Sequence, residues 1–361
     1  MSSPGNPEDF IRRIVGSDSR STPINGLPFG GTGPDVDDPS HRGPAGDRPK
    51  DFLLFSPSYS IDDACTSDER GSSVRSAYER VCNPLGFNSV PHGFSPDKAF
   101  AALNQEFPWF EEANALAVSW LAASGDSRRF RLPNIILDGR PGIGKTRWAR
   151  RVAAMCLSAS THPDDTVGVV SLAGLEQTLN IIGCDQSYIG SKPGLWFDVI
   201  ARSQSANPII ILDEIDKAKT NVAHALLAYL APETSSRFFC PFFRTEVDLS
   251  KVNYIATTND QHALPEPFLS RMEVINCPLP SPQEIEQVVP RITAEIIADS
   301  GLKEMSFTPD TSAVLKIYNE EESVRAVHRE IGRQIRSAIW TPPAFTRTKQ
   351  NPAGRRIGFC P

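Results

Sequence analysis

Gly139-Arg140-Pro141-Gly142-Ile143-Gly144-Lys145-Thr146 fits the pattern G-x-x-x-x-G-K-[ST]. Glycines at these spacings let backbone N–H groups turn inward around phosphate oxygens. The lysine can reach β- and γ-phosphates, and the hydroxyl after it can sit on Mg²⁺. Taken alone, the octet also suits a glycine-rich turn before an ordinary helix, so its surroundings decide. Asn134-Ile135-Ile136-Leu137-Asp138 is a short apolar run between Pro133 and Gly139, as expected of a buried parallel strand. From Thr146 to Ser158 a helix would carry Trp148, Val152, Met155 and Cys156 on one side. Strand, glycine loop and helix in this order set the phosphates at a helix N-terminus.

Downstream, Pro208-Ile209-Ile210-Ile211-Leu212-Asp213-Glu214 is a second apolar run, and it ends in two acids. Carboxylates at a buried strand end are costly unless they serve a metal or a water. Asp213 is the candidate Mg²⁺ residue and Glu214 the candidate general base for an attacking water. Capping of the next helix is the alternative for both. Val252 to Thr258 forms a further strand ending at Asn259. In a parallel sheet that end lies beside Asp213, where an amide could orient the lytic water; alone, Asn259 reads as a turn residue. Strand candidates at 134–138, 167–172, 208–213, 252–258 and 273–277 alternate with helices, which predicts an α/β fold with a parallel sheet flanked by helices. Beyond Pro280, helices predicted over 282–299 and 309–340 lack intervening strands and form a small all-α domain.

The remaining composition narrows the classes. The chain has 361 residues and a formal net charge of -6, so no global basic field advertises nucleic acid. No apolar run approaches a membrane span, and the N-terminus lacks a signal-peptide core. Seven cysteines are scattered without C-x-x-C pairs, which argues against zinc and disulfides and suits a reducing, cytoplasmic setting. Residues 1–50 are rich in Gly, Pro, Ser and Asp and predict a disordered leader. Residues 51–96 are mixed, with an apolar anchor at Phe52 to Phe55 and a helix near Ser72 to Val81. Leading helices and the α/β domain occupy 97–280, the helical lid 281–340, and a basic tail 341–361.

Several stretches, taken in order, resemble the ATPase module of Lon protease, a member of the AAA+ superfamily of P-loop NTPases. They are Gly139 to Thr146, Ser171 to Gly174, Tyr188-Ile189-Gly190 with Pro193-Gly194, and Leu212 to Lys217. Ala225-Leu226-Leu227, Glu246 to Val252, Ile255 to Asn259, Leu269 to Ile275, and Val324-Arg325 with Arg329 to Ile331 continue the match. The resemblance implies an ATPase using ATP and Mg²⁺. It assigns Gly139 through Arg147 (Gly139, Arg140, Pro141, Gly142, Ile143, Gly144, Lys145, Thr146, Arg147) to the nucleotide loop and Asp213 and Glu214 to Walker B. Asn259 becomes sensor 1, Arg271 an arginine finger reaching a neighbouring subunit, and Arg325 sensor 2. From the residues alone, Arg271 is a surface arginine at a helix end. A finger in trans implies a homo-oligomer, a hexameric ring by resemblance. Tyr188 and Ile189 match the pore loop that grips polypeptide; a core tyrosine at a strand edge is the alternative.

The match also has gaps. The Ser-Lys protease domain and the large N-domain of Lon are absent from the sequence, so no peptidase is expected. Cys184-Asp185-Gln186 replaces basic residues before the pore tyrosine, and Arg140 stands where proline is usual. The segment Lys217 to His224 is shorter than the family's second pore-loop region. The expected function is ATP-driven remodelling or threading of a protein client, with a separate protease or effector as a further partner. The alternatives are a nucleic-acid-associated AAA+ ATPase, supported by the basic tail alone, and an ATP-controlled assembly adaptor.

Overall fold

Five short apolar runs build the central sheet: β1 (Ile135–Asp138), β2 (Val167–Ser171), β3 (Ile209–Asp213), β6 (Asn253–Thr258) and β7 (Glu273–Asn276). All pair in parallel, in the order β2-β3-β6-β1-β7. The computed structural model describes residues 52–65, 69–90, 93–124, 130–156, 167–301 and 306–339. The expected leader and basic tail lie outside the described residues. Helices of two turns or more are α1 (Glu69–Glu79), α2 (Pro96–Glu106), α3 (Glu111–Ala122), α4 (Lys145–Met155), α5 (Trp196–Ser203), α6 (Thr220–Leu230), α7 (Pro282–Asp299), α8 (Thr311–Glu321) and α9 (Val324–Ile339).

The period of two along each strand divides the apolar core. Ile135, Leu137, Ile209, Ile211, Ile255 and Ile275 join Trp148, Val152 and the faces of α3, α4 and α7 in one cluster. Ile136, Ile210, Leu212, Tyr254 and Ala256 face the other cluster, with Trp196, Leu226 and Phe243. Burial on both faces explains why these strands are continuous apolar runs rather than alternating ones. Because β6 lies between β3 and β1, the C-terminal ends carrying Asp213, Asn259 and the glycine loop meet at one edge.

Two features depart from the predicted alternation. Between α6 and β6 the chain makes an antiparallel hairpin of β4 (Phe238–Cys240) and β5 (Thr245–Val247). The helix predicted over 309–340 is two helices. Glu322 adopts a left-handed backbone, φ 47°, and closes α8, after which α9 starts at Val324. That break brings Ser323 and Arg325 to the glycine loop.

The lid of α7, α8 and α9 docks through Val288, Ile292, Val324 and Val327, which share a cluster with Phe107, Trp109 and Trp148. A capping box, Ser281 with Glu284, starts α7. Leu54, Phe55, Val74, Val81 and Leu85 of the N-terminal segment pack into the other cluster. Phe55 bridges to Val247, and Phe55, Tyr59 and Tyr78 gather around Phe243, to whose carbonyl Tyr59 donates at 2.8 Å.

Candidate nucleotide site

The glycine loop runs from β1 into α4. Gly142 and Gly144 take φ of 81° and 105°, which L side chains rarely adopt. A Cβ on Gly142 would also lie 2.3 Å from Ser323 Oγ and 3.3 Å from Ser323 Cβ, so a side chain here would force Ser323 of the lid to shift. Arg325 N donates to Gly142 O at 3.1 Å, and Arg140 pairs with Glu322. The loop is thus held from the lid side as well as from its own strand.

A cavity of about 390 Å³ opens above the loop. Pro141, Gly142, Gly144, Lys145, Thr146 and Arg147 form its floor; Asp213, Glu214, Thr257 and Asn259 one wall; Val324, Arg325 and His328 the other. Lys145 is 7% exposed, and its ammonium donates to Gly139 O (2.6 Å), Arg140 O (2.8 Å) and Asn259 Oδ1 (3.0 Å). Burial lowers its pKa from the ordinary lysine value, opposed by Cys277 and the Asp138, Asp216 and Asp213 carboxylates.

Thr146 Oγ1 donates to Asp213 Oδ1 at 2.7 Å, and Thr257 Oγ1 donates to the same oxygen at 2.6 Å. Glu214 N–H donates to Thr257 Oγ1 at 3.0 Å. Thr257 therefore ties the two acids together. Sequence reading missed it because a buried threonine inside a strand carries no local mark of chemistry; its clue is the place beside Asn259. The hydroxyl–carboxylate pair Thr146–Asp213 fits a hard divalent cation. Among the described residues no group of three His, Cys, Asp or Glu could enclose a metal. A Mg²⁺ here would therefore complete its shell with phosphate oxygens and water.

The model of the family described as "ATPase family associated with various cellular activities (AAA)" matches residues 135–278, the span from β1 to just past β7. Residues 135–278 carry an AAA+ P-loop NTPase fold, a module resembling that of Lon protease. It is 31% identical over 250 residues to the Lon protease of Heliobacterium modesticaldum, covering 67% of this chain and 30% of that protein. With the Lon protease of Malacoplasma penetrans it shares 32% over 241 residues, 64% of this chain and 30% of the other. The chain thus spans about 30% of the length of these curated relatives, and the match lies in their ATPase region. A closed-state structure of Hsp104 with ATPγS and FITC casein superposes with a TM-score of 0.56 at 18% identity, covering 68% of this chain and 47% of that one. That last likeness is one of fold.

Within the AAA+ module the predicted residues separate into four places. Lys145, Thr146, Asp213, Glu214, Asn259 and Arg325 share the cleft with Pro141, Gly142 and Gly144. Gly139, Arg140 and Ile143 lie outside the cleft lining; Arg140 pairs with Glu322 of the lid, and Ile143 is buried, its carbonyl accepting from Trp109 Nε1 at 3.1 Å. Arg147 lines the cleft, but its guanidinium is engaged with Glu295 (2.5 Å), Glu106 (3.3 Å) and His328 (3.1 Å). Arg151 and Arg291 join the same cluster on Glu106, whose side chain is 6% exposed. Arg271 lies outside the cleft lining, exposed, donating to Pro267 O and Ser270 Oγ. Tyr188 and Ile189 stand at a separate tip, 64% and 93% exposed.

Proposed function

We propose that this AAA+ module hydrolyses ATP in a homo-oligomeric ring, six subunits by analogy, and uses the energy to pull on a polypeptide client. The observation that carries the reading is the pairing of a cleft lined by Lys145, Thr146, Asp213, Glu214, Asn259 and Arg325 with an exposed Tyr188-Ile189 tip outside that lining. On this reading Lys145 and the loop amides hold the β- and γ-phosphates, and Thr146 and Asp213 hold Mg²⁺. When bound, Mg²⁺ supplies charge neutralisation between the phosphates. Glu214 accepts a proton from the attacking water as that oxygen bonds to the γ-phosphorus and the β–γ bridging bond breaks. Asn259, bonded to Lys145, fixes the angle of approach. Arg325 from the lid, and Arg271 from the neighbouring subunit, offset charge on the γ-phosphoryl oxygens.

A client-pulling role draws support from the aromatic-aliphatic tip and from the fold shared with a casein-bound Hsp104 structure. No segment within the sequence supplies a peptidase on this reading, so cleavage of a client would fall to another protein. The described residues contain no helix long and apolar enough to cross a membrane; a cytoplasmic setting is part of the proposal. The test is to measure ATP turnover with and without fluorescein-labelled casein. Wild type should turn over ATP and accelerate with casein, Glu214→Gln should bind ATP without turnover, and Tyr188→Ala should lose the casein response. Equal turnover by Glu214→Gln and wild type would point to an adaptor; an intact response in Tyr188→Ala would refute threading.

A further inference from the structure

The loop carrying Tyr188 and Ile189 is tied down by charged and polar side chains immediately before its tip. Asp185 forms a two-pronged pair with Arg244, from the turn of the β4–β5 hairpin: Nε to Oδ2 at 3.0 Å and Nη2 to Oδ1 at 2.9 Å. The same Oδ1 accepts from Ser187 N (2.8 Å) and Ser187 Oγ (2.6 Å), and Ser187 Oγ accepts from Arg244 Nη2 at 2.9 Å. Arg70 of α1 donates to Ser187 O at 3.0 Å. Gln186, only 3% exposed, donates to Ala64 O at 2.9 Å. Tyr188 N–H then closes a turn on Asp185 O, and Ser191 N–H closes another on Tyr188 O. Arg244 is itself held at φ 53°, a conformation a non-glycine residue adopts only where its surroundings require it. Its hydrogen bonds hold the Asp185 carboxyl well below the usual carboxylate range, with Ser187 adding to the effect.

We infer that Asp185 and Arg244, seconded by Arg70, form a clamp that positions Tyr188 and Ile189 to grip a polypeptide. The inference rests on the threading reading above. The clamp replaces flexibility with a fixed presentation: the base of the loop is tied at three points, while the two tip side chains stay free. Arg244 lies in the segment between Asp213-Glu214 and Asn259, so the clamp joins the loop to the connection between the two strands that shape the hydrolytic cleft. Arg70 and Ala64 belong to the N-terminal segment, which gives that segment a part in the same task. The paired side chains are 42% and 34% exposed, so losing the pair should leave the fold intact.

Two measurements on the full chain test this. Hydrogen exchange over residues 185–191 should accelerate in Arg244→Gln and Asp185→Asn, since Ser187 N–H and the turn above it lose their anchor. The fluorescein-casein concentration for half-maximal ATPase stimulation should rise about tenfold in Arg244→Gln, the scale of one charge-assisted hydrogen bond. Arg244→Lys keeps the charge without the planar fork and should recover only part of that loss. A merely structural role would lower thermal midpoint and maximal turnover together and leave half-saturation alone. Unchanged exchange in both variants would overturn the clamp. Faster exchange with unchanged half-saturation would overturn its role in gripping, provided Tyr188→Ala loses the casein response. Should Tyr188→Ala respond normally, the threading reading fails and the gripping role with it, while the exchange data still judge the clamp itself.

Discussion

Glu214 sits at φ 56°, ψ 53°, a left-handed backbone that costs a non-glycine residue roughly 1–2 kcal/mol. Its N–H bond to Thr257 Oγ1 offsets part of that cost, and the same hydroxyl holds Asp213 in place. Thr257→Val keeps shape and removes both bonds. Turnover should fall about 100-fold, the order expected when a catalytic group moves by about 1 Å, with ATP affinity changed far less. Single-turnover hydrolysis beside fluorescent-nucleotide binding would separate the two; equal losses in both would place Thr257 in binding instead. The gathering of Lys145, Thr146, Asp213 and Glu214 at one cleft was legible in the sequence because the motifs that carry them have fixed local spacings. Thr257 and His328 were not, since each acquires its role only from a neighbour far away in the chain. Arg147 lay inside the recognised motif, yet its charge is engaged by Glu106 and Glu295, partners that no spacing rule could have indicated.

At the scale of elements, the five sheet strands were readable because double-sided burial writes them as unbroken apolar runs. The β4–β5 hairpin was not, because three-residue strands are too short to show a period. The break between α8 and α9 also escaped, since a single left-handed Glu322 leaves no mark in composition. That break matters for how the lid is held. Arg147 and Arg151 of α4, Glu106 of α2, Arg291 and Glu295 of α7, and His328 of α9 meet in one cluster across the lid boundary. Burial, then the positive charge of Arg147, lowers the His328 pKa from its ordinary 6.5. The folded lid therefore binds fewer protons than the unfolded chain just below 6.5, and stability is lost as pH falls through that window. For Glu295, burial raises the pKa, but bonds and charges from Arg147 and Arg291 outweigh it and hold it below 4.5. Its contribution is present above 4.5 and is lost at lower pH. Thermal midpoints should therefore drop in two stages, below 6.5 and again below 4.5. His328→Asn should flatten the first stage alone; an unaltered upper stage would assign it to another group.

At the scale of the whole molecule, Arg271 is the residue that the fold of one chain leaves unexplained. It lies outside the lining of its own cleft and, among the described residues, donates only to its own short turn. Resemblance alone suggested a role for it, because nothing in a single chain can display a contact made between copies. If the finger acts in trans, Arg271→Ala and Glu214→Gln are each inactive for complementary reasons. One spoils the neighbour's site and the other spoils its own. Loss of the finger alone should slow turnover by roughly 10³–10⁵-fold. In a random equal mixture, about one interface in four joins an intact Glu214 to an intact Arg271, by the head-to-tail contacts that close a ring. Mixing the purified variants should therefore restore about a quarter of wild-type turnover, provided neighbouring sites act independently. Recovery should scale with the product of the two fractions as their ratio is varied. A mixture no more active than its components, under conditions where sizing shows mixed assemblies, would remove Arg271 from the hydrolytic site and leave Arg147 and Arg325 as the arginines that line the cleft.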